Sequence, residues 1–193
     1  MNDNTRAQTR KLTFLGMMAA VSILLVAVIH FPIFPAAHFL EYDPADVPIL
    51  FATFIVGPWG GLALTGIVSL IQGLTVSAQS GPIGIMMHFL ATGGYVLVTG
   101  FFYRHFQKKH RFEPVAAIGL FLGALTMASI MVLCNLILTP VFMGTPMNAV
   151  LQMMVPIIIP FNLLKAGING LITFIIYLPI VKIVKPQKYL LDK

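Results

Sequence analysis

Charge is what this sequence has least of. Only 9% of its 193 residues are charged, against about 25% in a soluble globular domain. With 58% of residues hydrophobic, the balance excludes a sizeable soluble domain and reads as a polytopic membrane protein. Cysteine is almost missing. Cys134 stands alone in an apolar run, so it forms no intrachain disulfide and has no metal-ligand partner at any known spacing. Enzyme signatures are missing too: there is no G-x-x-x-x-G-K-[ST], no H-E-x-x-H, no G-x-S-x-G and no paired intramembrane carboxylates. No catalytic residue, metal site or cofactor is expected, and the chain cannot itself hydrolyse ATP through a phosphate-binding loop. No small-residue cleavage site clearly follows the first apolar run, which reads as a span rather than a cleaved signal. The net charge of +6 would suit nucleic acid, but its distribution argues for topology instead.

What the chain does have is apolar runs. Five stand out: Leu12–Ile29, Val47–Val76, Ile83–Tyr103, Val115–Phe142 and Val155–Val184. A span needs about 20 residues. The second run is longer and is broken by "GPWGG", Gly57 to Gly61. Lysine and arginine arbitrate the count. Arg6, Arg10 and Lys11 precede the first run. Arg104, Lys108, Lys109 and Arg111 fall in one loop. Lys182, Lys185, Lys188 and Lys193 close the chain. Basic residues mark the cytoplasmic side, and all three clusters lie inside only if an even number of spans precedes Arg104. The second run must therefore turn at its glycines. The expectation is an all-α, single integral membrane domain with six transmembrane helices and both termini cytoplasmic. The spans fall at about 12–30, 45–57, 60–76, 83–103, 114–141 and 155–183, and an outer lid loop covers 31–46. The segment Val47–Val56 is short for a span at about 1.5 Å per residue and needs shielding by its neighbours.

One charge breaks the pattern. Lys165 sits inside "IPFNLLKAGING", where a lysine at mid-membrane costs about 2.5–3.5 kcal/mol on insertion scales. Asn162, Lys165 and Asn169 are spaced i, i+3, i+7 and share one helix face. Asn135 lies near the outer end of the fifth span. Two such polar sites at similar depth suit an outward-facing ligand pocket, since lysine and asparagine together offer donors and acceptors. The competing reading is that Lys165 snorkels to the interface while the asparagines glue helices together. The lid, "HFPIFPAAHFLEYDPADVP", is rich in proline and aromatics and needs something to pack against. Within it Asp46 reads as an N-cap of the second span, and a cation held by Asp43 and Asp46 is the weaker option. Phe39, Tyr42 and Phe161 have the flat faces to stack on a planar ligand. His88, the one clearly intramembrane histidine, reads as a packing residue. Small residues four apart, such as Gly57 and Gly61, Gly119 and Gly123, or Ala166 and Gly170, allow close helix approach. Gly16, Ala19, Ala20 and Ala27 on the first helix are free to face another protein instead.

Four ordered stretches, "FLEYDPADVPIL", "GPWGGL", "NLILTPVF" and "PFNLLKAGIN", together resemble the riboflavin-binding S components of energy-coupling factor (ECF) vitamin transporters. The likeness runs from Phe14 to Ile183. It implies a bacterial plasma membrane protein that binds riboflavin from outside, in a pocket closed by the loop after the first helix. The family's pocket asparagine on helix five matches Asn135, and its Asn-x-x-Lys on helix six matches Asn162 and Lys165. Its lid motif matches Leu40, Tyr42, Asp43 and Asp46, with Phe39 alongside. Riboflavin is then the transported ligand, not a cofactor. The partners implied are a transmembrane coupling subunit, two ATPase subunits and the lipid bilayer, with no nucleic acid. The family docks through Ala-x-x-x-Ala on helix one; this chain has Gly16-x-x-x-Ala20 with Ala19 beside it. The alternatives left by the residues alone are a stand-alone facilitator or proton-coupled carrier using Lys165, a membrane enzyme, or a purely structural subunit.

Overall fold

The computed structural model describes residues 3–34, 37, 39–107 and 112–184. Lys108, Lys109, Arg111, Lys185, Lys188 and Lys193, which carry part of the charge argument, lie outside the described residues. The architecture is a helical bundle with one small β-ribbon. α1 (Asp3–Val28) leads into β1 (Phe31–Pro32) and β2 (Glu41–Tyr42), which pair antiparallel with Phe31 opposite Tyr42. α2 (Asp46–Val56) and α3 (Pro58–Leu74) follow. A 3-10 turn, Ala78–Ser80, leads into α4 (Gly81–Phe106), then α5 (Phe112–Met143) and α6 (Met147–Met153). A π-helical turn, Met154–Ile158, joins α6 to α7 (Ile159–Val184).

Among the described residues, four helices are long and apolar enough to cross a membrane: Thr5–Val28, Ala78–Phe106, Phe112–Val141 and Met147–Lys182. α2 and α3 are apolar but shorter, with 11 and 17 residues. At 1.5 Å per residue, α2 is only about 16 Å long. Its neighbours make up the difference: α2 packs against α1, α3, α4 and α7, and every residue from Asp46 to Ile55 except Phe51 is buried. A helix apolar all round belongs in the interior, and this one is the central post of the bundle.

The chain turns from α2 to α3 at Gly57, whose φ of 103° and ψ of 176° are open essentially to glycine alone. Pro58 then starts α3, where its missing N–H is no loss. The Arg104 guanidinium fills the space a Gly57 side chain would need and donates to the Val56 carbonyl at 3.2 Å. Arg104 thus satisfies one of the free carbonyls that end α2. Elsewhere small residues permit close packing. A Cβ on Gly61 would strike Thr53, one on Gly123 would strike Tyr95 and Thr99, and one on Gly170 would strike the Tyr95 hydroxyl. Below α2 the core is aromatic. Phe54 stacks on Tyr177 at 4.5 Å and meets Tyr103 edge-on at 4.8 Å, while the two tyrosine hydroxyls bond each other at 2.7 Å.

A second core lies over the other end of the bundle. Ala37, Leu40 and Tyr42 from the lid bury themselves with Val150, Met154, Ile158 and Phe161. The lid's apolar side chains therefore seat on α6, the π turn and the start of α7. The π turn contains Pro156, which has no N–H to continue the regular ladder. Its wider turn belongs to the seat on which the lid rests.

Candidate functional site

Beneath the lid is a cavity walled by five helix ends: the last turn of α1, the last turns of α3 and α5, and the first turns of α4 and α7. The antiparallel run of the chain puts all five at one level of the bundle. Phe39, Leu40, Glu41 and Asp43 line it from the lid.

Asn135 and Thr139 reach it from α5, one turn apart. Thr139 donates to Asn135 Oδ1 at 2.8 Å, and Asn135 Nδ2 donates back to the Met131 carbonyl at 2.7 Å. Asn162, from α7, donates to the Ile158 carbonyl at 2.8 Å. Each amide is held by its own helix, so its position is preorganised, and each keeps one further N–H for another partner. Met127, Met131, Ala91, Val26 and Phe161 supply apolar surface between these polar groups.

Lys165 neither snorkels nor stands alone. It is 6% exposed, and its Nζ donates to Asp43 Oδ2 of the lid at 2.6 Å. The lid carboxylate is buried with it and also accepts from the Ala45 backbone N–H at 3.1 Å. Behind this pair Asn169 ties lid to helix three times. It accepts from the Tyr42 hydroxyl at 3.0 Å, and donates to the Asp43 carbonyl at 3.0 Å and to Asp46 Oδ2 at 3.1 Å. Asp46 Oδ1 takes a further bond from Thr92 of α4 at 2.9 Å. The ring of His88 stands 3.6 Å from the same oxygen and 2.7 Å from the Ser69 hydroxyl. Buried charges survive only when paired and hydrogen-bonded, and this network provides both. Burial, then the neighbouring Asp43 carboxylate, push the Tyr42 phenol above its ordinary pKa, so it stays a hydrogen donor.

Of the residues singled out in the sequence, Asn135, Asn162, Lys165, Phe39, Leu40 and Asp43 come together on the cavity wall. Tyr42 and Asp46 lie behind it, in the network that fastens the lid. Two expectations need correction. Asp46 is not an N-cap: the cap position is Ala45, no side chain caps the helix, and the Asp46 carboxylate reaches across to α4 and α7 instead. It does sit at the N-terminus of α2, where the helix dipole favours an anion. His88 is not a plain packing residue, because it lines the cavity and faces Asp46. On α1, Gly16 and Ala20 lie on an exposed face with nothing near Gly16, whereas Ala19 is buried in the core. Ala19 therefore does not share that open surface, because its position on the helix turns it inward. Sequence reasoning missed Ser69 and Gln72, which line the cavity from α3. Their i, i+3 spacing in an apolar run carried the same signal as Asn162 and Lys165.

Comparisons with known proteins follow the same direction. A family model described as "ECF transporter, substrate-specific component" matches residues 10–177. The riboflavin transporter RibU of Streptococcus thermophilus is 31% identical over 180 residues, covering 89% of this chain and 83% of that protein. The riboflavin transporter FmnP of Bacillus subtilis is 26% identical over 189 residues, covering 94% of this chain and 97% of that protein. A solved structure of the S component of a bacterial ECF transporter superposes with a TM-score of 0.73 at 26% identity, covering 92% of this chain and 99% of that one.

Proposed function

From the premise that this chain belongs to the family of ECF transporter substrate-specific components, we propose that it captures riboflavin at the outer face of the membrane and delivers it inward with an ATP-driven coupling module. The observation that carries this reading is the lidded cavity, where two preorganised asparagines and a lysine stand on one wall among methionine and aromatic surface. The isoalloxazine ring of riboflavin is flat and largely apolar, with hydrogen-bonding atoms along one edge. Asn135, Asn162 and Lys165 match such an edge; Phe39, Leu40, Phe161 and the methionines match the faces. Tyr42, Asp43 and Asp46 serve by holding the lid closed. The reading takes the chain to cross the membrane six times with both termini cytoplasmic, so that the lid and its cavity face the side from which the vitamin arrives.

The test is direct. Protein purified from riboflavin-containing cells is expected to be yellow, with its flavin fluorescence quenched. Vesicles containing this chain alone are expected to take up no riboflavin, and uptake should require a coupling subunit, two ATPases and ATP. A colourless protein that binds no added flavin would sink the substrate assignment. Uptake by the chain alone would instead favour a facilitator or proton-coupled carrier.

The partner-docking face is taken to be the open surface of α1 at Gly16 and Ala20. Small residues there let a partner helix approach to backbone distance. Ala20→Trp should block assembly with the coupling subunit in a pull-down while flavin binding persists. Normal assembly of that variant would move the docking face elsewhere.

A further inference from the structure

We propose that Gln72 recognises the hydroxylated tail of the ligand, and so fixes the direction in which the flavin lies; this rests on the flavin reading above. Gln72 occupies the last turn of α3 and lines the cavity. It is only 7% exposed, yet its Oε1 is buried and accepts no hydrogen bond. Its Nε2 is held weakly, by a contact of 3.5 Å to the Ser77 hydroxyl. Exchanging the two amide atoms would leave the same shortfall, with a donor unmet instead of an acceptor. Buried amides are normally satisfied, and each exception asks for an explanation. A side chain this poorly held is free to turn toward an incoming group that completes its bonding.

The surroundings say which group that is. α3 packs on α1, α2 and α4, and α5 on the far side of α4 and on α6 and α7. Gln72 therefore stands on a separate wall from Asn135, Asn162 and Lys165. The polar side chains on its side of the cavity are short hydroxyls, Ser69, Ser77 and Ser80, set among Ile83, Ile85 and Met87. Scattered small donors and acceptors suit a polyol, whose hydroxyls point in several directions and each both give and take a hydrogen bond. They do not suit the ring, which needs continuous apolar faces and one polar edge. In the bound state a ligand hydroxyl donates to Gln72 Oε1, and Nε2 donates to a ligand oxygen. A flavin without that tail leaves the glutamine unmet, which gives the site a preference beyond ring binding.

The experiment uses the full-length protein, freed of flavin, and two ligands: riboflavin, and lumiflavin, which keeps the ring but carries a methyl group in place of the tail. Fluorescence quenching gives both dissociation constants. The wild type should prefer riboflavin by tenfold or more, and Gln72→Met should shrink that preference by about tenfold, through weaker riboflavin binding. Gln72→Ala provides a second variant without the longer side chain. Lumiflavin binding doubles as the check on folding. Equal weakening for both ligands would overturn the proposal, making Gln72 a packing residue. An unchanged preference would overturn it as well, placing the tail elsewhere. A wild type that binds neither flavin would mark failure of the substrate assignment itself, which is a different result.

Discussion

Lys165→Met is expected to weaken flavin binding more than about 100-fold and to lower the thermal stability of the purified protein. Breaking a buried ion pair by removing one partner typically costs 3–5 kcal/mol, because the other charge is left uncompensated. Here the abandoned group is Asp43, which is buried and keeps the 3.1 Å bond from the Ala45 N–H as local support. The pair fastens the lid to α7 through Asp43. An unpaired Asp43 would draw the lid toward water and away from the apolar seat formed by Val150, Met154, Ile158 and Phe161. The double variant Asp43→Asn with Lys165→Met separates two effects. Asparagine keeps the acceptor for Ala45 and removes the stranded charge. Stability is expected to return while flavin affinity does not, because the ammonium on the cavity wall is still gone. Recovery of affinity in the double variant would show that Lys165 acts only by fastening the lid.

The second large effect belongs to Asn169. Asn169→Leu keeps the branched shape, with a bulkier tip, and removes three hydrogen bonds that tie α7 to the lid and to the head of α2, from Tyr42, to the Asp43 carbonyl and to Asp46. Neutral bonds contribute about 1 kcal/mol each and bonds to charged groups about 1.5–3 kcal/mol. The combined loss falls on the closed lid, so it should emerge as faster release: about a 100-fold increase in the flavin dissociation rate, followed by the recovery of fluorescence after dilution. Asn169→Asp should be worse, since it sets a third carboxylate beside Asp43 and Asp46. A dissociation rate unchanged in Asn169→Leu would mean the lid is held by its apolar seat alone.

Much of the site was legible because polar residues are so sparse here. In a chain with 9% charge, a stripe such as Asn162, Lys165 and Asn169 stands out by helical spacing alone. Its partners were harder to read. The pairing of Lys165 with Asp43 joins residues 122 apart in sequence, and no local pattern announces it. Asp46 misled for a related reason. Its position before an apolar run fits a cap, but the buried network around Asn169 and Thr92 outcompetes the local bond. Gln72 shares i, i+3 spacing with Ser69, but nothing in its own stretch separates a cavity amide from a packing one, because the cavity is closed by elements distant in sequence. The helix count divides similarly. Charge parity predicts six spans, whereas among the described residues length and apolarity identify four, Thr5–Val28, Ala78–Phe106, Phe112–Val141 and Met147–Lys182. α2 and α3 are apolar but fall short of that length, and α2 is shielded by the helices around it. The π turn at Pro156 and the lid's seat on it depend on tertiary packing and left only a proline in the sequence.

The shortness of α2 has a consequence for how far the solute must still travel. One end of this post is anchored by Arg104 at the basic face of the bundle, and the post is about 16 Å long in a hydrocarbon layer about 30 Å thick. Asp46, at its other tip, puts the buried network beneath the cavity at about that distance from the Arg104 end, well short of a full bilayer's depth. A solute held above that floor is separated from the Arg104 end of the bundle by little more than the length of α2. Phe54, Tyr103 and Tyr177 fill that stretch, so any path from the cavity toward the Arg104 end has to part a buried aromatic cluster.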